Sequence, residues 1–141
     1  MLTTITTTVE HGSKTYSGRI GTIKRTSFGF EDHGIVTAYL HVEWPGGGIG
    51  AGGYTLDSPR KNEDGKHVGR FGSAYGMDHI MRILETVGVD TWEKLPGKQV
   101  IVLFEGPSIW GSTSCGIAGI TTEKVLDFKA HYEAFAAEVD D

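Results

Sequence analysis

The chain has 141 residues, 13 Lys and Arg against 18 Asp and Glu, and a formal net charge of -5. That length suits one domain able to bury about two-thirds of its unfolded surface without metal or disulfide support, and a single cysteine, Cys115, excludes an internal disulfide and a multi-cysteine zinc site. Residues 1–122 carry 11 basic and 12 acidic groups while residues 123–141 carry 2 and 6, which excludes a broad basic field for general nucleic-acid binding and leaves room for a local basic site.

The opening stretch, Met1 to Glu10, has neither the basic nor the apolar region of a signal peptide. No apolar run approaches the ~20 residues that span a bilayer, so a soluble protein of the cytoplasm is expected, as one domain over residues 1–141. The 21 glycines follow no fixed period and read as turns, bulges and close backbone approaches.

In chain order, residues 1–12 are Thr-rich and β-branched, an extra edge strand or a frayed terminus. Tyr16 to Phe30 has strand composition, but Ile20 and Ile23 share a face only across a bulge, placed at Gly21. Val36, Ala38, Leu40, Val42 and Trp44 alternate with more polar residues as an amphipathic strand, and Pro45-Gly46 turns it into a hairpin with the glycine-rich run to Leu56. Residues 57–69 read as a mobile polar loop. Ser73 caps an expected helix Ala74 to Val87 with Met77, Ile80, Met81, Leu84 and Val87 on its apolar face and Gly88 as its stop. Asp90 and Glu93 have capping-box spacing before a short helix that carries Trp92 and Leu95. Val100, Val102 and Phe104 on one face and Ile101 and Leu103 on the other mark a central strand. Trp110 to Ile120 reads as a further strand and residues 122–139 as a terminal helix capped by Thr122.

Three strands, a helix, two strands and a terminal helix match an α+β fold built on a five-stranded, OB-like or related partly open β-barrel, with one helix between strands 3 and 4 and a C-terminal helix. An SH3-like barrel or an open α+β sheet has the same element order.

Gly48, Gly50 and Gly53 imitate a dinucleotide fingerprint, but the chain after them continues as strand and turn, with no helix N-terminus to receive a pyrophosphate. His41 and Glu43 share a strand face with Tyr39, and no nucleophile or orienting group follows from spacing. His11, His33, His67, His79 and His131 lack metal-ligand spacing, and Ser73 and Cys115 lack a nucleophile context. No catalytic residue, metal or cofactor is assigned, and an enzyme is not expected. Arg19, Lys24, Arg25, Arg60 and Arg70 interleave with Tyr54, Phe71 and Tyr75, a combination of guanidinium and planar groups that suits a nucleotide or a single strand. These eight residues are the expected ligand-binding set, and Arg70→Ala is expected to weaken binding without lowering the melting temperature.

Gly69 to Lys98, with Ser73-Ala-Tyr-Gly-Met-Asp-His79 leading the helix and Trp92-Glu-Lys-Leu-Pro-Gly97 ending the block, together with Gly52 to Asp57, resembles a family of small uncharacterised proteins of tailed bacteriophages and prophages over residues 50–104. The resemblance implies a viral protein acting in the host bacterial cytoplasm. The expected function is a non-enzymatic phage accessory protein that binds a nucleotide-like or nucleic-acid ligand, with counteraction of host defence as the role this implies. Alternatives are a protein–protein inhibitor of a host defence or replication enzyme through its acidic surface, and a virion component. Partners follow accordingly: a nucleotide-like small molecule, a single strand or a host protein, no membrane, and a possible homo-oligomer.

Overall fold

The computed structural model describes residues 5–31, 34–53, 55–105 and 113–139. In chain order the elements are β1 (Ile5–His11), β2 (Lys14–Glu31), β3 (Ile35–Trp44), β4 (Gly47–Gly53), β5 (Asp57–Lys61), β6 (His67–Gly72), α1 (Ala74–Val87), a 3₁₀ turn (Trp92–Lys94), β7 (Gln99–Glu105), β8 (Gly116–Ala118), β9 (Val125–Asp127) and α2 (Phe128–Val139).

Strand dominates, at 54% against 21% helix. Seven strands form one antiparallel sheet in the order β4-β3-β2-β7-β8-β9, with β1 also on β2, and β5 and β6 form a separate two-stranded sheet. This overturns the five-stranded barrel: the sheet has seven strands and is not closed, and α1 follows the sixth strand instead of the third.

The cause lies in β2. At 18 residues it is long enough to seat two partners on one edge. Residues 14–20 pair with β1 and residues 22–31 pair with β3, while residues 17–22 pair with β7 on the other edge. The bulge that reconciles its two halves falls between Ile23 and Arg25, not at Gly21. Gly21 instead permits close packing, since a Cβ there would lie 2.6 Å from Val42 and 2.8 Å from the Glu43 carbonyl oxygen.

Ile23, Leu40, Val42, Ala51, Val100, Val102, Phe104, Ile117 and Leu126 bring six strands into one core with Ile83 of α1 and Leu95. Each fully buried large aliphatic side chain contributes about 1.5–3 kcal/mol. The other sheet face holds a smaller cluster of Tyr16, Leu103 and Ala118, and its Tyr16 hydroxyl donates to Asp127 Oδ2 at 2.7 Å. Asp127 Oδ1 accepts from Ala130 N at 2.9 Å, so this aspartate caps α2. The terminal helix therefore starts at Phe128, not at Thr122, because residues 125–127 pair as β9 with β8.

The stretch read as a polar loop is the β5–β6 hairpin, turned through Asn62 to Lys66. Helix α1 has the expected bounds: Ser73 accepts from Gly76 N, and Gly88 ends it in the left-handed conformation at φ 92°. Its buried face is rotated from the expected one. Gly76, His79, Ile83 and Thr86 face inward, while Met77 and Met81 are 65% and 46% exposed, because the helix turns Gly76 and His79 of its first turns against Leu56 and Gly53. The 3₁₀ turn has no side-chain cap, and Asp90 is paired with Lys94 at 2.8 Å. Among the described residues no helix is long and apolar enough to cross a membrane.

Candidate functional site

Helix α1 enters the fold between two depressions, and its cap explains why. Ser73 Oγ donates to the Leu56 carbonyl at 2.7 Å while accepting from Gly76 N, which ties the helix start to the segment leaving β4. Gly76 lets the two backbones touch, since a Cβ there would meet the Leu56 carbonyl oxygen.

On one side lies a cavity of about 940 Å³, lined by Tyr75, Phe128, Tyr132, Cys115, the hydroxyl residues Ser58, Ser73, Thr113 and Ser114, and the charged Asp57, Glu105 and Lys129. On the other is an apolar cleft of about 350 Å³ between Phe28, Phe30, Phe71, Met77 and Ile80. Asp57 and Ser73 border both. Arg70 closes on Asp57 at 2.6 Å, and this contact, with a hydrogen bond from Val36 N, holds the Asp57 carboxyl below the usual carboxylate range.

Behind the larger cavity, α1 and α2 enclose an aromatic and imidazole cluster. The Tyr75 ring lies 5.2 Å from Tyr132 edge-on and 5.3 Å from His131. Burial, with the Tyr132 phenol adding to it, pushes the Tyr75 hydroxyl pKa up. His131 Nε2 donates to Asp78 Oδ2 at 2.6 Å, and that bond first, then Arg82, keeps the Asp78 carboxyl low against burial. His79 is fully buried between Tyr75, Phe128 and His131, and among the described residues neither of its ring nitrogens has a hydrogen-bond partner. Burial, helped by His131, pulls its pKa from 6.5 to about 4, so the imidazole is neutral. A Cβ at Gly53 would lie 2.7 Å from His79 Nε2, so glycine at that strand position makes room for the ring.

The eight residues expected to share one ligand face are dispersed. Arg19 lies over the Trp44 ring at 5.1 Å. Lys24 and Arg25 are exposed at the β2 bulge, and Arg25 lines a separate depression with Tyr39 and His41. Arg60 and Phe71 meet on the hairpin at 5.7 Å, and Arg70 is bound to Asp57. Only Tyr75 lines the large cavity, and Tyr54 lies outside the described residues. The spacing of polar residues in the chain identified neither His79 nor His131, which stand 52 positions apart and meet only when α2 packs on α1; the recurrence of Gly76, His79, Ile83 and Thr86 was the one local sign that position 79 turns inward.

Neither candidate nucleophile named from the sequence is activated in the structure. Cys115 carries a thiol pushed up from 9.0 to about 11, by burial first and then by Asp127 and Glu105, so it stays protonated at neutral pH. Ser73 is committed to its two backbone bonds. Among the described residues no group of three or more His, Cys, Asp or Glu is placed to hold a metal ion. Compared with known protein families, curated proteins and solved structures, the chain finds no match.

Proposed function

We propose that this chain is a non-enzymatic binding protein for a nucleotide-like small molecule, taken up in the large cavity chiefly through its planar base and hydroxyl-bearing sugar. The observation that carries this reading is the cavity of about 940 Å³ with the Tyr75, Phe128 and Tyr132 rings on its wall. That volume falls within the roughly 300–1,000 Å³ of small-molecule sites, where a few polar groups orient a ligand held by apolar and aromatic walls. Ser58, Ser73, Thr113 and Ser114 supply hydroxyls for a sugar or a base edge.

The charge balance of the lining argues against a phosphate-rich ligand. Among the described residues Lys129 is the one cation of the lining, against the carboxylates of Asp57 and Glu105, and it already lies 3.9 Å from Glu133. The expected guanidinium of Arg70 is neutralised by Asp57. In the phage setting implied by the resemblance over residues 50–104, the protein would act in the bacterial cytoplasm by sequestering a nucleotide-derived signal and so blunt host defence.

The test is calorimetry with nucleosides, cyclic mononucleotides, cyclic dinucleotides and nucleoside triphosphates. Saturable binding of a low-charge member that is lost in Tyr75→Ala supports the reading. No heat from any of them at high micromolar concentration, or equal binding by Tyr75→Ala, overturns it.

A further inference from the structure

The register of the β3–β4 hairpin builds a second feature on the sheet face turned away from α1. Leu40, Val42 and Ala51 point into the core, so by alternation Tyr39 and His41 of β3 and Gly50 of β4 point outward. Across the other edge of β3, Arg25 pairs with His41 and Ser27 with Tyr39. Arg25, Ser27, Tyr39, His41 and Gly50 together line a depression of about 510 Å³.

Three properties of this depression suit an anion attached to a flat group. His41 Nε2 and Ser27 Oγ sit 3.4 Å apart, so an imidazole and a hydroxyl converge on one spot. Arg25 is exposed and makes no ion pair among the described residues, which leaves its planar fork of donors available. The third property is Gly50. A glycine inside a regular strand weakens it and marks a bulge, a bend or a close approach; the β3–β4 register runs unbroken through Gly50, and a Cβ there would make only an ordinary contact, 3.7 Å from Tyr39 Cδ1. The fold itself does not require glycine at this position, unlike Gly52, where a Cβ would run into the Ala38 carbonyl oxygen. The space is therefore left open beside the Tyr39 ring. Glu43, the next outward residue of β3, lies beyond His41 from Tyr39 and Ser27.

We propose that this depression is a phosphoryl-binding site for a nucleotide unit, with Arg25, His41 and Ser27 holding the phosphate and the base lying over Gly50 against Tyr39. A free mononucleotide and one residue of a single strand present the same chemistry. The site is separate from the cavity beside Tyr75.

The test titrates the full chain at low salt with inorganic phosphate, adenosine monophosphate and a fluorescein-labelled thymidine oligonucleotide. Saturable binding of the mononucleotide or the oligonucleotide, weakened roughly tenfold or more in Arg25→Ala, is expected, since a charge-assisted bond is lost. Gly50→Val should abolish binding while leaving the melting temperature unchanged or raised, because valine suits an exposed strand position. Tighter oligonucleotide binding names the single strand as source, and tighter mononucleotide binding names the free nucleotide. Phosphate binding with the same dependence on Arg25 and no gain from the base keeps the anion site and overturns the stacking over Gly50. Binding that survives Arg25→Ala and Gly50→Val but is lost in Tyr75→Ala belongs to the cavity and overturns the proposal, as does an absence of binding by all three probes.

Discussion

Arg70 is joined to Asp57 by two hydrogen bonds, Nε to Oδ2 at 2.6 Å and Nη2 to Oδ1 at 2.9 Å, across a register in which Asp57 faces Gly72 and Pro59 faces Arg70. Val36 N donates to the same Oδ1 at 3.1 Å, so one carboxylate couples the hairpin to β3. Asp57 borders both the large cavity and the apolar cleft, and Arg70 lines the cleft.

Arg70→Ala therefore acts first on stability, contrary to the expectation drawn from its place in a basic and aromatic stretch. It leaves Asp57, 6% exposed, without its cation, and removing one partner of a buried pair is costly because the other charge stays buried. A fall in melting temperature of about 5 °C is expected by differential scanning fluorimetry. Asp57→Asn together with Arg70→Ala should recover part of that loss. An unchanged melting temperature in Arg70→Ala would show that the pair does not brace the hairpin.

Two pH windows follow from the titratable groups. An unfolded histidine takes up its proton below about pH 6.5, whereas folded His79 stays neutral down to about pH 4. Between those values the unfolded state binds more protons, so stability falls as pH drops, by roughly 3 kcal/mol in all, and this group contributes no further loss below the folded pKa. Asp57, Asp78 and Asp127 have depressed folded values, so their contribution is complete above the unfolded carboxylate pKa of about 3.9 and is lost as pH falls below it. Urea titrations of His79→Leu should show a gain of about 1–2 kcal/mol at neutral pH, because two unpartnered ring nitrogens leave the core, and a flat upper window with the acid loss retained. A variant that keeps the slope above pH 4 would place that titration elsewhere.

What was legible in the chain was local. The Ser73 cap, the Gly88 stop, the alternation of β3 and the two apolar faces of β7 each depend on residues a few positions apart, and each is present. The sheet order was not legible, because it turns on a single strand of 18 residues serving β1, β3 and β7, and alternation does not say how many partners an edge has. Periodicity also misplaced the buried face of α1: Met77 and Met81 fit the apolar stripe, but the same turns present Gly76 and His79 to Leu56 and Gly53, which leaves both methionines exposed. A shared face for the expected ligand residues was not legible either, since strand register and the hairpin send Arg25, Arg70 and Tyr75 to different depressions.

Gly76 gives a prediction of opposite sign to helix propensity. In an exposed helix interior, Gly→Ala gains up to about 1 kcal/mol. Gly76→Ala should instead lose about 2 kcal/mol or more, because the new methyl meets the backbone carbonyl of Leu56, which α1 cannot move away from without breaking the Ser73 bond to the same oxygen. Chemical denaturation compares the two directly, and a stabilised Gly76→Ala would mean that the helix start is free to shift.

Cys115 offers a reporter for occupation of the large cavity that needs no engineering. Its thiol is raised from 9.0 to about 11, so at neutral pH the reactive thiolate is about a hundredfold scarcer than for an ordinary exposed cysteine. Alkylation by iodoacetamide should be slower by about that factor in the folded chain than in urea. Because Cys115 lines the same cavity as Tyr75 and Tyr132, a ligand bound there should slow labelling further. Tyr75→Ala should abolish that protection while leaving the ligand-free rate close to wild type, since the acidic neighbours that help raise the thiol are Asp127 and Glu105. Protection that persists in Tyr75→Ala would place the ligand outside the ring-lined wall, and fast labelling of the folded chain would show the thiol to be more exposed than its position beside Asp127 and Glu105 implies.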